Sequence, residues 1–390
     1  MIAAAVARYA QRFHALLAGG HSVGSPLGAW LLLALVGPAA TSAERERLTD
    51  VLGLDVHTAF AAARSLLSEP HPELAVGSAI WHDPAYETPA LLEFVRRLVP
   101  PADAGPMPTQ AEADGWARER TLGLIEKFPL EIDNDRGSLV LLLATALATK
   151  VSWDEPFQVV PARAGELPAT PGFAGRSLLR RFAEPLWQGF VHSPAGPLAA
   201  FAVRSRGGLV VASAIGSREP TVLLEAAQTL AMELAGGREP ARIPLAELPL
   251  GDGPSWRVTE QVQYADEDER YECLLPAWEA EADHALIPRP ELGFPAAGAA
   301  ILRLLIPGDY EVEAKHSAVA RYTAVGFEAA AVTALAARTA SARVSSRTTV
   351  RTARVEFTQP HAIVAATAGG GEWAGLPVFA AWMTKAIAAD

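Results

Sequence analysis

Cysteine is nearly missing from this 390-residue chain: Cys273 stands alone, so no disulfide can form within it. Its setting, Tyr271-Glu272-Cys273-Leu274-Leu275, predicts a small buried hydrophobe rather than a nucleophile. A positive charge excess is also missing. The formal net charge is −11 and the pI near 5.4, which argues against a nucleic-acid partner, whose phosphates would be repelled. Long apolar runs are lacking too: Leu27–Val36 and Leu139–Thr149 fall short of a bilayer span and are expected to be buried elements. Met1–Leu17 scatters Arg8, Arg12 and His14 through an Ala-rich pattern, unlike the basic head, apolar block and cleavage site of a secretory signal. On that ground the default expectation is a cytoplasmic protein. The nine histidines do not cluster at metal-ligand spacing, and neither a metal nor another cofactor is expected.

What is present is ordinary for a chain with a sizeable core: 50% of residues are apolar and 20% charged. The first third patterns as helices. Ala3–Leu17 ends at Gly19-Gly20, and Ser25-Pro26 opens an apolar helix to about Val36. Thr41/Ser42 begins a charged helix through Leu52, stopped by Gly53. Glu73–Ile80 suits a strand or buried segment, and Ala90–Leu98 and Ala111–Glu126 suit helices. Leu139–Val151 is apolar throughout, so period alone leaves helix and strand both open.

Strands dominate from there on. Ala199–Val203, Gly208–Ala214, Arg257–Tyr264 and Tyr271–Ala280 are expected strands, with Thr221–Leu234 as a helix between them. Val355–Phe357, Ala362–Thr367 and Pro377–Met383 close the chain around a Gly369-Gly370-Gly371 turn. There is no internal repeat and no linker between self-sufficient halves. The expectation is an α+β fold with segregated elements, residues 1–390 forming one domain.

Three motifs invite chemistry. Gly20-His21-Ser22-Val23-Gly24 matches the G-x-S-x-G nucleophile elbow, which would make Ser22 the nucleophile of a serine hydrolase. That motif works between a core strand and the following helix, whereas here a helical segment and two glycines precede it. Asp266-Glu267-Asp268-Glu269 lacks the glycine and distal glutamate of a calcium loop and is expected to be a solvated turn.

The third is the stretch from Gly326 to Pro360. Read with period two from Phe327, one face carries Phe327, Ala329, Ala331, Thr333, Leu335 and Ala337. The other carries Glu328, Ala330, Val332, Ala334, Ala336 and Arg338. The same Ala-rich residues would also make a surface helix. Arg338, Arg343, Arg347, Arg351 and Arg354 follow among small residues. That tract suits an accessible protease bait, or equally a charged surface loop or edge strand.

The ordered set of these features resembles a serpin, of a divergent bacterial type, over nearly the whole chain. The carriers are Ser25-Pro26-Leu27 before an apolar helix, and Leu139–Phe157 with Thr145, Lys150, Trp153, Pro156 and Phe157. Leu275-Pro276-Ala277-Trp278-Glu279 and Lys315-His316-Ser317-Ala318-Val319 follow, the latter ahead of Gly326-x-Glu328-Ala329-Ala330-Ala331. Phe357-Thr358-Gln359-Pro360-His361 and Leu376-Pro377-Val378-Phe379 complete the set.

The resemblance implies helices packed around three mostly antiparallel sheets, with a reactive-centre loop at about 326–354. It implies a monomer that is not an enzyme. Its partner would be a serine or cysteine protease, with no nucleic acid and no membrane, and family habit allows an extracellular setting. In inhibitory members the protease cleaves the loop, forms an acyl-enzyme and is trapped when the front half of the loop joins the main sheet. Carried over by position, Gly326, Phe327, Glu328, Ala329, Ala330, Ala331 and Val332 are the hinge, while His316, Ser25, Thr145 and Trp153 control sheet opening. Counting from Gly326 places the reactive bond at Ala340–Ser341, with Arg338, Arg343 and Arg347 as alternative cleavage points. Counting back from Pro360 points nearer Thr349.

The sequence departs from the family pattern at several of these positions. Ala324 and Val325 stand where acidic residues are usual, Phe327 where a small hydroxyl residue is usual, and Thr145 and Gly28 replace an Asn and a Ser. The alternative is therefore a non-inhibitory protein of the same fold, whose loop is a protease substrate or a binding element.

Overall fold

In a computed structural model, the structure describes residues 1–132, 139–149, 151–162, 165–181, 184–217, 219–326 and 346–389. The N-terminal half runs α1 (Ile2–Leu17), β1 (Ser22–Gly24), α2 (Pro26–Val36), α3 (Ser42–Leu52), α4 (Val56–Ser68) and β2 (Leu74–His82). It continues through α5 (Pro89–Leu98), β3 (Asp103–Pro106), α6 (Gln110–Arg120) and β4 (Leu141–Thr149). The middle holds β5 (Gln158–Val160), β6 (Leu178–Arg180), β7 (Trp187–Val191), β8 (Leu198–Arg204), β9 (Leu209–Ile215) and α7 (Pro220–Ala235). After them come β10 (Gly251–Asp252), β11 (Trp256–Ala265), β12 (Glu269–Pro276), β13 (Trp278–Ala285), α8 (Phe294–Leu302) and β14 (Lys315–Tyr322). The C-terminal strands are β15 (Ser346–Glu356), β16 (His361–Thr367) and β17 (Pro377–Met383).

Local sequence accounts for most of these boundaries. The Ser25 hydroxyl accepts from the Gly28 amide and Pro26 occupies the first turn, where its missing N–H is not needed; α2 therefore starts sharply. Nearly every residue of α2 is buried, so it lies at the centre rather than on the surface. Asp55 caps α4 through the His57 and Thr58 amides, and Gly53 ends α3 in the left-handed region that favours glycine. One continuous apolar core draws residues from Val6 through Ala386. No helix among the described residues is long and apolar enough to cross a membrane.

Three expectations change. Leu139–Val151, left open between helix and strand, becomes β4 despite Leu- and Ala-rich helix propensity. It pairs antiparallel with β2 from Leu74↔Thr149 to His82↔Leu141, and ladder partners outweigh local preference. The helix expected over Ala111–Glu126 stops at Arg120, because Leu122 and Gly123 both take positive φ and close the C-terminus. The single strand expected over Tyr271–Ala280 divides at Pro276-Ala277, where the chain leaves β12 for β13 in a different sheet.

One six-stranded sheet has the order β1-β17-β16-β9-β8-β7, with every pair antiparallel. A second, β10-β11-β15-β12-β6-β5, holds one parallel pair, β12 with β15. The third layer is divided: β3-β2-β4 form one half and β13-β14 the other. With that layer counted once, the three expected sheets of an α+β fold are present.

Candidate functional site

The division between β4 and β14 makes the site. Neither strand has a ladder partner on the edge facing the other among the described residues. Between them lies a cavity of about 900 Å³. Its floor is apolar, from Ala29, Leu32, Leu33 and Val36 of α2, and Trp116 and Phe128 border it on the α6 side. Residues 141–145 of β4 and Lys315–Ser317 of β14 flank it. Two strand edges with unused N–H and C=O groups over a greasy floor form a slot with the chemistry to accept a further strand.

Among the described residues, the slot is closed at its top. Gly326 and Ser152 form an isolated antiparallel bridge. The Trp153 amide donates to Val325 O at 3.3 Å and the Phe157 amide to Ala324 O at 2.7 Å. The buried Trp153 indole donates to Thr323 O at 2.9 Å. Its ring centroid lies 4.7 Å from Tyr322 and 5.9 Å from Phe157, and Tyr322 in turn stacks on Trp278. Burial pushes the Tyr322 hydroxyl far above its ordinary range. On the far side, Ser152 O accepts from the Arg206 amide, which ties the top of the slot to the turn after β8.

Lower down, a histidine-centred set joins β14 to α2. Nε2 of His316 accepts from the Ser25 amide at 2.8 Å, while the Ser25 hydroxyl donates to Val378 O at 2.7 Å. Thr145 reaches across from β4 and donates to Gly28 O at 3.0 Å. A ring nitrogen that accepts must be unprotonated. Burial and then the neighbouring His284 push His316 down to about 3, which is consistent with that role. His284 faces His316 directly across the β13–β14 ladder, with near-parallel rings 6.2 Å apart, and the Phe13 ring stands perpendicular to that of His316 at 5.6 Å. The sequence reading did not select His284. Its only signal is a register 32 residues away that two short strands hide.

The remaining sequence candidates fall as follows. Of the hinge, Gly326 is described and ends β14's extension; Phe327 through Val332 lie outside the described residues, as do Arg338, Ala340, Ser341 and Arg343. Arg347 and Thr349 lie within β15, paired with Tyr264 and Val262. The loop bounded at about 326–354 therefore extends too far, since residues 346–356 form a strand. Thr, Val and Arg make up most of that tract, and β11 and β12 hold the strand from both sides. Arg351 pairs with Glu260 at 2.8 Å, and Arg354 with Glu272 and with the fully buried Glu356. These two arginines, left open between a loose bait tract and an edge strand, are thus fixed inside the sheet.

Ser22 lies in β1 at a sheet edge, paired with Trp382, so the strand-to-helix elbow is not formed around it. Its hydroxyl is 3.4 Å from His284 Nε2, but that nitrogen also meets Val23 O at 2.9 Å. A nitrogen that donates to a carbonyl has no lone pair left to take a serine proton, so the pair is not a nucleophile and base. Cys273 is buried, as expected, and burial pushes its thiol up to about 12. Asp266–Asp268 form an exposed turn, while Glu269 starts β12 and accepts from the Leu245 amide and the Tyr271 hydroxyl.

No protein-family model and no curated protein matches the sequence. Solved structures do match in three dimensions. Human glycosylated kallistatin aligns at TM-score 0.67 and 18% identity, covering 98% of this chain and 97% of that one. The thermophilic serpin tengpin in its native state aligns at 0.64 and 14%, covering 97% and 93%. Human thyroxine-binding globulin, complexed with thyroxine, aligns at 0.62 and 13%, covering 98% and 97%. Full-length agreement with structures so remote in sequence identifies the arrangement of strands around the slot: this chain has the serpin fold.

Proposed function

We propose that the chain is an inhibitor of serine or cysteine proteases that acts as a suicide substrate, working as one domain. The observation that carries this reading is the slot between β4 and β14, at whose top Gly326, the last described residue before the bait, bridges Ser152. The target's nucleophile adds to the carbonyl on the N-terminal side of a bond within 327–345. The C–N bond breaks, the new amine takes a proton from the protease's histidine, and an ester or thioester links the two proteins. The freed front half, from Gly326 onward, then enters the slot and pairs with both edges. Trp153 opens the top, and His316, Ser25 and Thr145 set how easily the lower halves part.

The two sides of the cut are held unequally, which favours this course. Between the end of β14 and the bait, residues 323–326 are held by one bridge and three backbone or indole bonds. Downstream, β15 is paired over ten residues with β11 and over six with β12. Once cut, the weakly held side is the one that moves.

Ala340 suits a protease with a shallow pocket, and Arg338 or Arg343 a trypsin-like one. Incubation with trypsin and with elastase tests the proposal. A complex that survives SDS and a rise in melting temperature after cleavage are expected. About ten new backbone bonds at ~1 kcal/mol each give a rise on the order of 10 °C for a chain of this length. Cleavage with neither result would leave the loop as a plain substrate or binding element, a reading that the bulk of Phe327 favours.

A further inference from the structure

Where the protease would sit is bounded by the strand that follows the bait. Beyond Arg351, β15 has only β11 beside it among the described residues, because β12 pairs with residues 351–356 and β10 with Arg257 and Val258. Gln261–Ala265 and Ser346–Val350 therefore form a two-stranded ribbon past the end of β12, buried on one face at Ala265 and Val350. Its other face continues the core-facing row of Trp256 and Val258 out into solvent. After the Glu260–Arg351 ion pair, that row carries Val262 opposite Thr349 and Tyr264 opposite Arg347. Val262 is 58% exposed and Tyr264 74%, against 6% and 1% for Trp256 and Val258 in the same row. The turn at the ribbon's end carries Asp266, Glu267 and Asp268, all exposed and in no ion pair with a described residue; Arg270 and Arg347 only partly offset them.

We propose that this ribbon is a second docking surface for the attacking protease, and that it selects one whose surface beside the cleft is cationic. The inference rests on the bait reading above. From Ala340–Ser341 to Arg347 the chain spans at most six or seven residues, about 20–25 Å when fully extended, and from Arg343 four, about 14 Å. A protease of roughly 220 residues has a radius of gyration near ~17 Å, so one that holds either bond reaches the ribbon. Tyr264 and Val262 give it an aromatic and an aliphatic contact. The three carboxylates steer a positive surface toward the bait and repel a negative one. Exposed, adjacent in register and next to the tether, these residues have no comparable role in holding the fold.

Cationic and anionic trypsin share a specificity for Arg338 and Arg343 but differ in surface charge, which makes them the probes. Rates of cleavage within 327–345, mapped by mass spectrometry, are compared for the full chain, for the Asp266→Asn/Glu267→Gln/Asp268→Asn variant and for Tyr264→Ala. At low salt the triple variant is cut about 10-fold more slowly by cationic trypsin and no more slowly by the anionic form. The difference vanishes at high salt. Tyr264→Ala slows both enzymes several-fold at any salt. Equal low-salt rates for the unmodified chain and the triple variant with cationic trypsin overturn the charge selection, and an unchanged Tyr264→Ala rate overturns the docking. Trapping is read on a gel and docking from the rate, so either can fail alone. If neither trypsin cuts within 327–345, the bait reading itself fails.

Discussion

Replacing Gly326 by alanine tests the upper closure of the slot at a single atom. Gly326 has φ +106°, and a Cβ there would overlap the Val151 carbonyl oxygen and stand 2.9 Å from Ser152 Cα. Both are backbone atoms, so no rotamer change relieves the clash. If the backbone holds its course, an L side chain at that φ costs about 1–3 kcal/mol in strain, with the overlap added. If it swings away, the bonds from the Trp153 and Phe157 amides go with it, at about 0.5–1.5 kcal/mol each. Either route gives a loss of about 1–3 kcal/mol concentrated at the top of the slot. Hydrogen exchange separates this from general damage. The Trp153 and Phe157 amides should lose roughly 5- to 150-fold of their protection, while Leu209–Ile215 in the central β9 keep theirs. Gly326→Ala with unchanged protection at both amides and an unchanged urea midpoint would refute the idea that this glycine closes the slot.

Acid should weaken the lower tie. His316 is held near 3 in the folded chain against an ordinary 6.5, so only the unfolded chain takes up that proton in between, and stability falls as pH drops from about 6.5 toward 3. Each such site contributes up to about 1.4 kcal/mol per pH unit, less where water in the slot reaches the ring. Urea midpoints at pH 7 and 5 should therefore differ less in His316→Asn than in the unmodified chain; His14 and His361, both pushed by burial to about 4, and His21, His71 and His284, also lowered by burial, add to the remaining slope. Cys273 should resist a thiol reagent in the native protein and react fully in urea, and rapid native labelling would contradict its burial.

Helix ends and amphipathic helices were legible where one local signal decided them. Ser25-Pro26, Gly53 and the stripe of Val6, Tyr9, Phe13 and Leu17 each act within a turn or two of chain. What the sequence hid was decided across distance. β4 is a strand because β2 lies beside it, and β15 is a strand because β11 and β12 clamp a tract whose composition alone suits a loop. The candidate site divides in the same way. Ser25, His316, Thr145 and Trp153 were reached by resemblance, and the structure adds what each touches. His284 came from register alone, and the empty edges of β4 and β14 are a relation between strands that no single segment displays.

The last strands carry a consequence for how the chain is made. β16 lies in the middle of its sheet, between β9 and β17, and β17 zips onto β1 near the other terminus. During synthesis, β7, β8 and β9 emerge some 150 residues before the strands that cover their inner edge. At about 5–20 residues per second, that interval lasts on the order of ten seconds or more. A nascent chain must carry an unfinished, Val- and Ala-rich sheet edge through it, and a stop anywhere before residue 361 would leave that edge open for good. Chaperone dependence and loss of soluble yield on C-terminal truncation are thus written into the strand order itself.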